Sequence, residues 1–202
     1  MLEIEVKYYL GREAVARNLV RRWGLSWKPG VFEINRIFDF PDRRLGGQGA
    51  LVRVRTREDS ASLTFKTKTD VDVPGAKVRR EFDSRVSDPD AVLQLLAALG
   101  LLEVLRYERY RASYPAGGTA IEIDCLPGGW FCEIEGTPGA IAEKVCEAGL
   151  KGAGAIPWSY PGIFRRLCAR ANLSSDVWDF ELARRVNFII PPPDDPWWST
   201  AT

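Results

Sequence analysis

EIEVK, residues 3–7, sets Glu3, Glu5 and Lys7 at alternate positions around Ile4 and Val6. Successive side chains of a β-strand point to opposite faces, so one face of this segment is ionised and the other apolar. A lone strand of that kind fits any sheet with one wetted face.

The same alternation recurs along the chain. Arg53 and Arg55 alternate with Val52 and Val54, Lys66 and Lys68 oppose Leu63 and Phe65, and Arg79 and Glu81 oppose Val78 and Phe82. Further on, Arg109 and Arg111 share a face, Glu122 and Asp124 alternate with Ile121, Ile123 and Cys125, and Glu133 and Glu135 alternate with Cys132 and Ile134. Solvent faces of strands usually mix Thr, Ser and Gln with their charges, whereas charge here fills adjacent same-face positions in strand after strand. About eight such strands are enough to close into an antiparallel barrel, which removes the exposed edges. Closure turns the charged faces inward and leaves the apolar faces for helices to cover. The expected class is therefore α+β, an eight-stranded closed barrel with helices packed outside.

Helical spacing and stop signals place helices over residues 11–24, 89–99, 137–150 and 160–173, the last three each opened by an early proline. Pro, Asp and Gly mark 41–49 as a loop. One domain is expected over residues 1–171. Residues 172–202 are expected as an irregular, proline-rich tail docked through Trp197 and Trp198.

Composition narrows the chemistry. The 202 residues hold 28 Lys and Arg against 27 Asp and Glu, so net charge offers no broad basic surface for nucleic acid. No apolar run approaches the roughly 20 residues of a membrane span, and the first residues form a charged strand, which leads us to expect a cytoplasmic protein. There is no histidine, which excludes Ser-His-Asp and Cys-His catalysis and His-ligated zinc. Cys125, Cys132, Cys146 and Cys168 show no C-x-x-C spacing and read as structural.

A barrel lined with both signs of charge must be wet, paired or filled with ions, since an unpaired buried ion costs several kcal/mol. The basic set Lys7, Arg53, Arg55, Lys66, Lys68, Arg79, Arg109 and Arg111 suits a polyanion, because guanidinium forks and ammonium groups match phosphate oxygens. The acidic set Glu3, Glu5, Glu81, Glu122, Asp124, Glu133 and Glu135 would repel that polyanion unless a divalent cation stood between them. Carboxylates without His or Cys suit hard Mg²⁺ or Mn²⁺.

EIEVK resembles the E-x-E-x-K signature of the CYTH proteins, or triphosphate tunnel metalloenzymes, which include class IV adenylate cyclases, thiamine triphosphatases and inorganic triphosphatases. The likeness continues in order through LVRVR, LTFK, RREF, RYRASY, IEIDCLPGGWFCEIEG and SYPGIF, over residues 2 to 170. It implies an eight-stranded tunnel binding a triphosphate. In it Glu3, Glu5, Glu133 and Glu135 are metal ligands, and Asp124 is a ligand or a group that orients one. Lys7, Arg53, Arg55, Lys66, Arg79 and Arg111 grip phosphates. Lys68, Arg109, Glu81 and Glu122 share the right faces, and Arg80 replaces an inward neighbour if its strand holds a bulge. The family's D-x-Y-(Y/F)-D-T appears here as INRIFDF, with Arg36, Phe38 and Phe40 departing from it.

The reading expected from this is a Mg²⁺- or Mn²⁺-dependent triphosphatase acting on inorganic triphosphate or an organic one such as thiamine triphosphate. Glu3, Glu5, Glu133 and Glu135 hold the cation and orient water, and Lys66 stabilises charge at the leaving group. The alternatives are a class IV-type adenylate cyclase, in which the ribose 3′-hydroxyl of ATP replaces water, and a non-catalytic polyphosphate or nucleotide-binding module. A small-molecule triphosphate is the expected partner, with neither nucleic acid nor membrane, and a monomer and a homodimer both remain open.

Overall fold

The computed structural model describes residues 1–188, 190–192 and 195–198. Eight strands form the body: β1 (Leu2–Gly11), β2 (Val31–Asp39), β3 (Leu51–Thr56), β4 (Ala61–Thr67), β5 (Lys77–Val86), β6 (Leu102–Ala116), β7 (Thr119–Leu126) and β8 (Gly129–Gly136). They run antiparallel in the order β2-β3-β4-β5-β1-β8-β7-β6. β6 then pairs back with β2, from Val31 opposite Arg111 to Asp39 opposite Leu102, which closes the barrel as the alternation requires.

Helices cover much of the outer wall because that wall is apolar. Ala16, Leu19 and Val20 of α1 (Glu13–Arg22) and Ile141 of α4 (Pro138–Glu147) pack with Val6, Tyr8, Ile121, Ile123, Cys132 and Ile134. Each fully buried aliphatic side chain in this layer is worth roughly 1.5–3 kcal/mol. α3 (Pro89–Ala98) starts where Asp88 accepts the Ala91 N–H at 2.9 Å, and it lays Leu96 on Phe38 and Val54. The outer face of β4 and β5 has no such cover, and Phe65 and Phe82 stack there in the open.

The segment 41–49, expected as a loop, contains the four-residue α2 (Arg44–Gly47). Its turn is organised by Asp39, whose carboxylate accepts the N–H groups of Phe40, Leu45 and Gly46 at 2.7, 3.0 and 2.9 Å.

α5 (Tyr160–Arg170) plays a different part from the wall helices. In six of the eight strands the inward series ends on an apolar residue at the same end of the barrel: Lys7 gives way to Tyr9, Asn35 to Ile37, Arg53 to Leu51, Arg109 to Tyr107, Asp124 to Leu126 and Glu133 to Phe131. Tyr160, Ile163 and Phe164 pack against this apolar ring and seal that end. The lumen is therefore charged at its mouth and plugged at its base.

The tail, expected to be irregular, carries β9 (Val177–Trp178) and α6 (Phe180–Arg185), followed by a 3-10 turn at 196–198. β6 outruns β7, which pairs with it only from Tyr110 onward, so the edge at Arg106 and Tyr107 is free to take β9 in parallel. Trp178 is fully buried, stacked on Phe164 at 5.3 Å with its indole N–H donated to the Pro127 carbonyl at 2.7 Å. Trp197 and Trp198 pack against the same core as α5. Residues 189, 193–194 and 199–202 of the expected tail lie outside the described residues. All four cysteines are unpaired, with Cys132 and Cys168 buried. Among the described residues no helix is long and apolar enough to cross a membrane.

Candidate active site

The lumen holds a cavity of about 200 Å³. Lys7, Arg53, Arg55, Lys66, Arg109 and Arg111 line it from the basic set, and Glu3, Glu5, Glu81, Glu122, Glu133 and Glu135 from the acidic set. Asp124 sits just behind this surface and is fully buried. Two cations expected inside do not reach the lining. Lys68 follows the last residue of β4, and its aliphatic stem lies over Gly49. Gly49 has φ +69°, the left-handed conformation that favours glycine. Arg79 donates to the Gly49 carbonyl at 3.1 Å. Arg80 is exposed, so no bulge exchanges it for Arg79.

Three inward residues were missed. Glu33 and Asn35 alternate on β2 and are fully buried, and Lys77 on β5 meets Glu5 at 3.1 Å. The signal was present in EIN and KVR, the same period of two, but β2 was read through Arg36 and Phe38 on its other face. Glu33 is the anchor of an arginine cluster, with Arg57 at 2.5 Å, Arg109 at 2.7 Å and Arg55 at 3.5 Å. Burial raises its pKa, but Arg109, Arg55, Arg111 and Arg57 outweigh that and hold it well below the usual carboxylate range. Asn35 accepts from Arg55 at 3.1 Å, while its amide nitrogen has no partner among the described residues.

The carboxylates divide into two groups by what they touch. Glu133 meets Lys7 at 2.9 Å and also pairs with Arg111; burial opposes its ionisation, yet these cations keep it well below its ordinary pKa. Asp124 accepts from Arg111 Nε at 2.6 Å, Arg109 at 3.4 Å and the Tyr160 hydroxyl at 2.6 Å. Both are already saturated by fixed cations. The second group is under-compensated. The Lys66 ammonium lies 2.6 Å from both oxygens of Glu3 and 2.8 Å from Glu81, bridging two carboxylates, with Arg53 a more distant 3.8 Å from Glu81. Glu135 has no ion pair among the described residues, and burial together with Glu3, Glu81 and Glu5 pushes its pKa up to about 7.

The opposite wall has the opposite excess. Burial and the neighbouring Arg53 and Arg109 guanidiniums push Arg55 down to about 9, which leaves it a cation at neutral pH but an unfavourably placed one. Arg55 stands on β3 and Glu135 on β8, four strands apart in a ring of eight. Like charges are thus crowded at two places across the lumen, carboxylates around Glu135 and guanidiniums around Arg55.

Among the described residues no three carboxylates are gathered as a ready-made metal cage. Lys66 and Lys77 stand between Glu3, Glu81 and Glu5, and an ammonium in contact with two carboxylates marks where a cation is favoured. Glu3, Glu5, Glu81 and Glu135 have the chemistry to hold a hard divalent ion there. Glu133 and Asp124, also expected as ligands, contact Lys7, Arg109 and Arg111 in this arrangement.

A closed antiparallel tunnel with a charged lumen defines a class of proteins by itself. The CYTH domain model matches residues 1–145, and the chain belongs to that family. A Methanocaldococcus jannaschii protein named "putative adenylate cyclase" is 23% identical over 145 residues, 71% of this chain and 82% of that protein. A Pyrococcus horikoshii protein superposes with a TM-score of 0.65 at 23% identity, covering 81% of this chain and 98% of its own. A Hippeastrum protein, named as a "putative adenylyl cyclase" and described as revealing a dominant triphosphatase activity, gives 0.62 at 18% identity, covering 81% and 95%. Members of the family are enzymes that bind triphosphate substrates and depend on a divalent metal.

Proposed function

We propose that this chain is a divalent-metal-dependent triphosphatase that hydrolyses inorganic triphosphate, or an organic one such as thiamine triphosphate, in the barrel lumen. The observation that carries this reading is the crowding of like charge at two places. Glu135, crowded by Glu3 and Glu81, has no ion pair among the described residues, and Arg55, crowded by Arg53 and Arg109, shares the single carboxylate of Glu33 with Arg57 and Arg109. A polyanion brought in with a divalent cation satisfies both at once, which neither ligand does alone.

Glu3, Glu5, Glu81 and Glu135 would hold Mg²⁺ or Mn²⁺, which supplies Lewis-acid neutralisation of phosphate charge. Lys7, Arg53, Arg55, Arg109 and Arg111 bind and orient the phosphate chain, and their positions cost no reorganisation during reaction. Lys66, released from Glu3 and Glu81, offsets charge on the departing group. Water adds to the terminal phosphorus as the bridging P–O bond breaks, giving orthophosphate and pyrophosphate from inorganic triphosphate. Tyr160, Ile37 and Phe131 keep bulk water from the base of the lumen.

A second reading, class IV-type adenylate cyclase, draws on a cleft of about 740 Å³ beside the mouth. Leu63, Phe65 and Phe82 line it together with Glu3, Arg55, Glu81 and Glu135, so a nucleoside attached to the phosphates has room there. Incubation with inorganic triphosphate, thiamine triphosphate or ATP plus Mg²⁺ or Mn²⁺ separates the cases. Orthophosphate release supports the triphosphatase, cyclic AMP from ATP establishes the cyclase instead, and binding without turnover leaves a non-catalytic module.

A further inference from the structure

Residues 159–161 line the cavity although they lie beyond the span matched by the family domain. We propose that Tyr160 is a positioning residue for the cations at the depth of the lumen, Lys7 directly and Arg111 through Asp124. This rests on the triphosphate-binding reading above.

The geometry around Lys7 gives the first half of the argument. Its side chain is 3% exposed, and the ammonium touches Glu133 at 2.9 Å, the Trp158 carbonyl at 3.2 Å and the face of the Tyr160 ring at 4.0 Å. A ring face attracts the ammonium without offering a strong acceptor, so it fixes the group while leaving donor capacity for a ligand. The second half concerns Asp124, to which the Tyr160 hydroxyl donates at 2.6 Å. Asp124 also receives the Arg111 fork and one nitrogen of Arg109. The hydroxyl thus occupies one acceptor site of a fully buried carboxylate and sets the plane in which Arg111 is held.

Tyr160 owes its place to its own helix start. Ser159 accepts the Gly162 N–H at 3.3 Å and Pro161 follows Tyr160 in the first turn, which turns the tyrosine into the barrel rather than along the wall. The ring also packs on Phe131 at 5.3 Å and Tyr107 at 6.1 Å, as an ordinary core tyrosine would. The test must separate those two roles.

Calorimetric titration of the full chain with inorganic triphosphate and Mg²⁺, over a range of salt, does so for the wild type, Tyr160→Phe, Tyr160→Leu and Lys7→Gln. Loss of a hydrogen bond to a charged group predicts that Tyr160→Phe weakens triphosphate about tenfold. Its melting temperature should change little and its salt dependence should stay at the wild-type slope. Tyr160→Leu should weaken binding further and flatten the salt dependence to that of Lys7→Gln, and the double variant should be no flatter. If both Tyr160 variants melt earlier but bind with wild-type affinity and slope, the residue is core packing only and the proposal fails. If Tyr160→Leu does not fold, Tyr160→Phe decides alone: wild-type affinity overturns the proposal and a tenfold loss supports it. Wild-type protein that binds no triphosphate overturns the functional reading, and this proposal with it.

Discussion

Glu5 and Glu135 face each other as cross-strand partners of β1 and β8, yet only Glu5 has a cation, Lys77 at 3.1 Å. Like charges directly opposite on a sheet are destabilising, so the pair is kept at some cost to the fold. Bound divalent cation would turn that cost into affinity.

The first prediction follows from this pair. Glu135→Gln removes an unpaired carboxylate, so in metal-free buffer the melting temperature should hold or rise, while the extra stabilisation conferred by Mn²⁺ should shrink. A tenfold loss of metal affinity removes about 1.4 kcal/mol of stabilisation at saturating metal. Thermal melts with and without Mn²⁺ measure both effects, and an unchanged Mn²⁺ shift would remove Glu135 from the donor set.

Lys66→Met should behave in the opposite way. It strips Glu3 and Glu81 of their shared cation and should lower metal-free stability by about 2 kcal/mol, less than the full cost of breaking a deeply buried pair because all three groups keep some exposure. Millimolar Mn²⁺ should restore much of the loss. Denaturant unfolding in EDTA and in Mn²⁺ checks this; equal losses in both would mean that the cation does not take the place of the Lys66 ammonium.

Glu33 governs acid stability. Its folded pKa lies below its unfolded value, so its contribution is complete above about pH 4.5, the ordinary carboxylate pKa, and is lost as pH falls below it. Glu33→Gln leaves Arg109, Arg55 and Arg57 without their shared anion and should cost about 3 kcal/mol or more near neutral pH. The variant should also show a flatter stability curve between pH 5 and pH 2. Urea midpoints across that range give the answer, and parallel curves for variant and wild type would mean that Glu33 titrates normally.

Much of the lumen was legible because alternation is a local property. Glu3, Glu5, Lys7, Arg53, Arg55, Arg109, Arg111, Glu133 and Glu135 were placed by parity alone, and the barrel followed from counting such strands. What parity does not carry is how far each side chain reaches. Lys68 and Arg79 have the expected spacing, yet the approach of the chain at Gly49 draws both away from the lining. Whether a carboxylate is free or saturated depends on strands distant in sequence, so Asp124 and Glu135 looked alike. β9 could not be read at all, since two residues become a strand only through the edge that β6 leaves open 71 residues earlier.

The tail offers a fourth prediction. We propose that it folds as part of the same unit as the barrel, because Trp178 fills a site bounded by Phe164 and the Pro127 carbonyl. Trp178→Ala should cost about 3–5 kcal/mol. A chain ending at Ala171 should lose more, since it also uncovers the helix that seals the lumen. Circular dichroism melts compare them, and a truncated chain as stable as the intact one would make the tail an accessory.

The seal at the base has a kinetic corollary. Among the described residues the chamber is closed at its base, so on the proposed reading spent phosphate would back out along the route by which fresh substrate arrives. Leaving fragments would then compete with the next guest, and a polymer too long for the chamber would be met from its terminus.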